Sequence, residues 1–583
     1  MSIYDYTVFA LYVAGMVAVA GIFYRRNKSF KDMFAAGGQS PWWVSGLSSY
    51  MTLFSAGTFV VWGGLAYKHG MVAISINMAS GLAALLVGFF IASRWKALNI
   101  ATPATYIELR FGRTAVHYYT WMLMLVRIIG SAVALYALST ILVPLLPGAT
   151  DGNGEVSVIP IILICGLVIV AYTIIGGLWA VLMTDVLQFI VLSISVLFTV
   201  WLALGDSGGL AAFAQAVPVN FLDFTSAGYS WFFLLGWCAI HLFMLGAEWA
   251  FVQRHISVPS QRDARKGALL FGALYIISPA IWLLPAMVYR TVDPTADPEQ
   301  AYILMSQAVL PLGMLGLVAA AMFSATASMV SSQINVFAGV MTDRIYCGLL
   351  RPGASDGESV WAGRVAAALL GLAIIALAMA IPYLGGAEKV VFSLMSLFIS
   401  PMFAPALWGL FSRHISASAV WLTAGVAVTL GVLLKYLAAP TGMLAAIPQF
   451  DGLVQWTADN ARSLDIYIGV VAPLVVLSLL EIRGRLKARA AAGWLSLQSV
   501  AVHRETDAEA SAADGRLPLM IVTWSVLACA AITTLLTLVN PGVRFEMATL
   551  SLLLFITAAI LGRLLAKPGL REEPTINAPQ ARA

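Results

Sequence analysis

"SSYMTLFSAGTF", residues 48–59, lies inside an apolar run long enough to cross a bilayer, yet it is dense in Ser, Thr and Gly. A second stretch of this kind, "WCAIHLFMLGAEW" at 237–249, lies in another such run. Unwound backbone at membrane depth is tolerated only where it lines a cavity. Paired, polar-interrupted spans at corresponding places in two halves of a chain mark the binding site of a secondary transporter. Either stretch alone reads as close helix packing by small residues. The pairing turns the reading toward two hinged helices around a hollow.

The rest of the chain fits a membrane setting. Of 583 residues, 60% are hydrophobic and only 10% charged, against about 25% charged in soluble proteins. The net charge of +5 is modest and its Lys and Arg sit in short loops, so no segment offers the basic face that nucleic acid needs. Cys165, Cys238, Cys347 and Cys529 are scattered, without CxxC spacing, and read as small buried hydrophobes. The head of the first apolar run carries Asp5 and the positive charges come after it, the reverse of a signal peptide. It is expected to be a retained span.

Apolar runs of spanning length fall at 3–24, 42–67, 71–93, 116–146, 157–177, 180–205, 229–252, 267–290, 308–343, 359–383, 390–411, 415–437, 465–480, 517–538 and 544–564. The fold class expected is an all-α polytopic membrane protein with about 15 transmembrane helices. With the N-terminus outside and the C-terminus cytoplasmic, roughly 25 of the 33 Lys and Arg face the cytoplasm, as the positive-inside rule asks. The cell membrane, for a bacterium the inner one, is the expected location. No loop is long and apolar enough to bury a separate core, and no G-x-x-x-x-G-K-[ST] nucleotide loop is present. An ATP-driven pump and a receptor with an output domain are therefore disfavoured.

The motifs "GGLWAVLMTDVLQ" (176–188), "QRHISVPSQRDARKG" (253–267) and "SMVSSQINVFAGVMTDRIY" (328–346) closely resemble signatures of the sodium:solute symporter family. The segment 42–64 is similar to that family's first core helix. The resemblance extends from the start of the chain to the 415–437 helix. It implies a LeuT-type bundle of two inverted five-helix repeats, 41–205 and 206–411. An extra helix and loop (1–40) would precede them, and peripheral helices with a tail (412–583) would follow.

The resemblance also implies a sodium site between the first and eighth core helices. Backbone carbonyls would come from Met51, Phe54 and Ala325, and hydroxyls from Ser328 and the next position. That next position is Met329. Sodium is a hard cation that takes oxygen ligands, and a thioether suits it poorly. Water, Ser324, Thr326 or Ser55 are the candidates to complete the shell. Asp185 of "TDVLQ" resembles a family acid on the sodium route; read on its own it is equally an interfacial carboxylate.

Carried over from sugar-transporting relatives, the solute positions are Thr58, Asn77, Ser80, His241, Tyr275 and Ser393. All six are polar in otherwise apolar helices, and neutral groups that both donate and accept suit a polyol. Only Ser80 is identical to the sugar-transporter residue, and an aromatic gate position falls at Met244. Arg127 stands near the middle of its span, where a charge costs at least ~2.5 kcal/mol and faces a partner or a cavity. Relatives that carry sialic acid use an arginine about one turn further along this helix for the substrate carboxylate. Arg127 is thus either an anion-binding residue or the structural partner of Glu248 or of a helix-end carbonyl. Arg364 and Lys435, near helix ends, are expected to snorkel.

The function expected is secondary active transport, not catalysis: Na+-coupled symport of a small polar organic solute, a sugar or sugar derivative, possibly anionic. The alternatives are a solute-sensing transceptor and an uncoupled or proton-coupled facilitator with a degenerate sodium site. Beyond solute and membrane lipid, no obligate protein partner is evident.

Overall fold

The computed structural model describes residues 1–24, 40–100, 102–145, 158–384, 395–440, 442–487, 490–497 and 516–565. The described residues are almost wholly helical. Helices α1 (Ile3–Tyr24), α2 (Trp42–Leu53), α3 (Thr58–His69) and α4 (Met71–Phe90) are followed by α5 (Arg113–Leu142) and α6 (Ile159–Asp206). The chain continues through α7 (Trp231–Ala247), α8 (Trp249–Ile256), α9 (Gln261–Ile277) and α10 (Met314–Met341). After α11 (Asp356–Ala380) and α12 (Ser400–Gly409) come α13 (Ser418–Gly431) and α14 (Leu464–Leu486). The last two are α15 (Arg516–Val539) and α16 (Arg544–Leu565).

Ten helices among the described residues are long and apolar enough to span a membrane, or twelve when two bent pairs count as one span each. The expected count of about fifteen is therefore not reached by this measure. One difference is local. The spans expected at 157–177 and 180–205 run together as α6, without a non-helical residue between them. The sequence there offers Gly176 and Gly177 but no proline or polar run, and an interior glycine costs a helix only ~1 kcal/mol.

The bent pairs are α2–α3, bent by 62°, and α7–α8, bent by 53°. They fall where the polar stretches 48–59 and 237–249 predict hinges. Against them pack α4 and α9, which approach so closely that a Cβ on Gly272 would stand 2.7 Å from the Leu85 backbone nitrogen. Burial ranks the helices. The apolar window of α10 is 89% buried, while those of the spans Ser418–Leu437 and Pro541–Leu565 are 22% and 17% buried. Helix α10 is thus the axis of the bundle, and α13 and α16 face lipid.

Two peripheral helices grip the start of α10. The Asp5 carboxylate of α1 accepts the Gly316 N–H at 2.9 Å, in the first turn of a helix where donors lack ladder partners. The Asn540 side chain, just beyond α15, accepts the Leu312 N–H at 2.9 Å and donates to its carbonyl at 3.0 Å. Lys435 does not snorkel. It pairs with Asp465 of α14 at 2.5 Å.

Candidate solute and ion site

Helix α2 stops because the donors its last carbonyls need are taken elsewhere. The Ser55 N–H bonds Thr58 Oγ1 at 3.1 Å, and the Ala56 N–H bonds Thr326 Oγ1 of α10 at 2.9 Å. In an unbroken helix those two N–H groups would serve the carbonyls of Met51 and Thr52. Met51 instead accepts the Phe54 N–H at 3.0 Å, and Phe54 is extended, at φ −90° and ψ 133°. Thr58, reaching back to Ser55, acts as the third residue of a capping box does and starts α3. Helix α3 then opens with a π-helical turn, Thr58–Trp62, a form concentrated at functional sites.

The second hinge is Glu248 itself, extended at φ −69° and ψ 137° between α7 and α8. The Gly246 carbonyl, freed by the break, accepts Trp95 Nε1–H at 2.7 Å.

Between the hinges lies a cavity of ≈ 140 Å³. Thr58, Asn77, Ser80, Arg127, His241 and Tyr275 all line it, six of the seven solute positions expected from the sequence. The seventh, Ser393, lies outside the described residues. Ser55, Trp62, Met244 and Met329 complete much of the wall. Trp62 and Val61 also border a second hollow with Lys68, His69, Glu299 and Arg462, so they stand between the two hollows. Past the other hinge, Trp249 and Gln253 border a third hollow with Thr102 and Arg344.

Hydrogen bonds fix what the wall offers a solute. His241 Nδ1 stands 3.1 Å from the Trp237 carbonyl. A carbonyl only accepts, so Nδ1 carries the proton and Nε2 is left as an acceptor. Asn77 donates Nδ2–H to the Ala73 carbonyl at 2.9 Å, which leaves its Oδ1 to accept from the cavity. Arg127 meets Glu248 at 2.5 Å, its side chain 11% and that of Glu248 2% exposed.

Several residues expected to serve the ion assemble beside the first hinge. Ser48 and Ser328 each donate a hydroxyl hydrogen bond to one oxygen of Asp185. Asp185 is wholly buried, so it is not an interfacial carboxylate. Arg254 closes the cluster: its Nη2 lies 3.6 Å from Asp185, Nε donates to Ser48 Oγ at 2.8 Å, and Nη2 donates to Ser332 Oγ at 2.9 Å. Ser328, having donated, keeps lone pairs for a cation. Ala325 is buried on the same helix. Ser324 is turned away to Tyr12 of α1, and Thr326 is spent on the hinge. Met329 borders the cavity, while its neighbour Ser328 faces Asp185.

Arg254 and Ser48 were not singled out from the sequence as functional, although Arg254 stands within the quoted 253–267 motif. Its role depends on three helices meeting, which periodicity does not report. The two acids and two arginines, Asp185, Glu248, Arg127 and Arg254, balance to zero charge.

Two hinged helices crossing over a polar hollow, with hydroxyls and a buried carboxylate at one hinge, define a LeuT-type secondary transporter. The chain belongs to the sodium:solute symporter family, whose model matches residues 33–423. It is a multi-pass membrane transporter rather than an enzyme, and Na+ is the coupling ion of its family. A sodium/glucose cotransporter of Vibrio parahaemolyticus is 28% identical over 486 residues, covering 75% of this chain and 86% of that protein. A sodium/sialic acid symporter of Aliivibrio fischeri is 26% identical over 453 residues, covering 74% and 87%. Among solved structures, a substrate-bound, outward-open Na+-coupled sialic acid symporter superposes with a TM-score of 0.64 at 21% identity. That match covers 81% of this chain and 98% of the other, and it shows a shared fold.

Proposed function

We propose that this chain carries a sugar or sugar derivative into the cell together with Na+, by alternating access around the cavity between the hinges. The observation that carries the reading is the lining of that cavity. Thr58, Asn77, Ser80, His241 and Tyr275 converge on it, a set of neutral groups suited to a polyhydroxylated solute. Arg127 adds hydrogen-bond donors. The relatives named for glucose and sialic acid point the same way.

The Na+ cargo would take the carbonyls of Met51, Phe54 and Ala325 and the hydroxyl of Ser328, with Asp185 behind them. An oxygen-only set fits a hard cation, and the Met51 carbonyl has lost its ladder donor. The repeats would run 41–205 and 206–411, flanked by 1–40 and 412–583. The Lys and Arg distribution supports an outside N-terminus and a cytoplasmic C-terminus in a bacterial inner membrane.

Uptake of labelled hexoses, inositol and sialic acid into proteoliposomes tests the reading, with an inward Na+ gradient, a K+ control and a proton gradient. Uptake that accumulates only with Na+ is expected. Sodium-blind uptake, or uptake driven by protons, would remove the sodium assignment; no uptake of any of these solutes would remove the sugar assignment.

A further inference from the structure

The charge on Arg127 is spent before any solute arrives. Its guanidinium meets Glu248 Oε2 at 2.5 Å, and Glu248 is the hinge residue of α7–α8. Arg127 still lines the cavity, and its Nε has no hydrogen-bond partner among the described residues. The pair therefore presents N–H donors without net charge. Arg254, the arginine of the neighbouring cluster, is already engaged by Asp185, Ser48 and Ser332. Among the described residues that line this hollow, Arg127 is the one guanidinium or ammonium, and a carboxylate brought to it would be repelled by Glu248 behind it in a poorly screened space.

We propose that Glu248 is a specificity-determining residue: by neutralising Arg127 in the cavity wall, it restricts the site to uncharged solutes and bars those bearing a carboxylate. Neutral hydroxyl or ring oxygens accept from Arg127, while hydroxyl protons go to His241 Nε2 and Asn77 Oδ1. Glu248 does not touch the solute in this scheme. It acts through Arg127, as a built-in carboxylate in the place an anionic substrate's own would take. The proposal rests on the sugar reading above and sharpens it to neutral sugars and polyols.

The test compares equilibrium binding of D-glucose and D-glucuronate, in saturating Na+, to the purified wild type, Glu248→Gln, Glu248→Asp and Arg127→Gln/Glu248→Gln. Glu248→Gln leaves Arg127 uncompensated, and a solute carboxylate then completes the pair. The glucuronate-to-glucose affinity ratio is expected to rise at least tenfold in Glu248→Gln. It should stay near wild type in Glu248→Asp and fall back in the double variant. An unchanged ratio in Glu248→Gln overturns the proposal. So does a wild-type protein that binds glucuronate as tightly as glucose, a result that needs no variant to fold. If the wild type binds neither sugar, the sugar reading fails. The specificity claim is then decided by whether Glu248→Gln gains glucuronate binding over the double variant.

Discussion

The Thr326 hydroxyl accepts the backbone N–H of Ala56 at 2.9 Å, so the break in the first hinged helix is held by the helix that carries Ser328. Opening the hinge would therefore pull on the helix that carries Ser328, the proposed ion ligand. Removing that acceptor by Thr326→Ala leaves a buried N–H unpaired, which costs about 1–3 kcal/mol. The thermal midpoint should fall and the Na+ concentration for half-maximal stabilisation should rise, with Thr326→Ser restoring both. An unaltered Na+ titration in Thr326→Ala would separate hinge from ion.

Asp185 is buried against two hydroxyls and Arg254. Asp185→Asn strips the counter-charge from Arg254, and breaking a buried pair costs roughly 3–5 kcal/mol. We expect a lower midpoint together with loss of Na+-dependent solute uptake. A folded Asp185→Asn protein with normal sodium dependence would exclude the carboxylate from the ion route.

Met329 borders the cavity, and its neighbour Ser328 is bonded to Asp185. Met329→Ser adds an oxygen beside Ser328 and removes an apolar group from the cavity wall. If the thioether stands where an ion ligand belongs, Na+ half-saturation in uptake should drop. An unchanged value would mean that another group already completes the shell.

His241 presents Nε2 as an acceptor because Nδ1–H is held by the Trp237 carbonyl. His241→Phe keeps the ring packing on Trp237 but not the acceptor. A lost hydrogen bond worth about 1.4 kcal/mol is tenfold in affinity. The KM for the solute should rise by about that factor, with His241→Gln recovering part of it. Equal KM values in wild type and His241→Phe would take His241 out of the site.

Gly272 admits no side chain, with the Leu85 nitrogen 2.7 Å from where its Cβ would stand. Gly272→Leu should yield no folded protein on size exclusion, because backbone cannot yield as a side-chain tip can. Gly357→Ala, on the first turn of α11 with open space around its Cβ, should be tolerated.

Much of the fold was legible along the chain. Span length and hydropathy are local properties, and so is the clustering of Gly, Ser and Thr that marked 48–59 and 237–249. Both hinges fall inside those stretches. The division expected between the spans 157–177 and 180–205 is absent: α6 runs on through Gly176 and Gly177. Glycine weakens a helix but does not stop one unless another group takes the backbone donors, as Thr58 and Thr326 do at Ser55 and Ala56.

The sequence by itself determined that this is a polytopic helical transporter of the sodium:solute symporter kind, and it named six of the polar positions that line its cavity. Only the tertiary structure decided what those positions face. Arg127 could have met a solute carboxylate or Glu248, 121 residues away, and the hydrogen bonding of Ser328 to Asp185 joins helices 143 residues apart. In a low-dielectric interior a buried charge must find a partner. Which partner it finds depends on the approach of whole helices, and no local pattern encodes that.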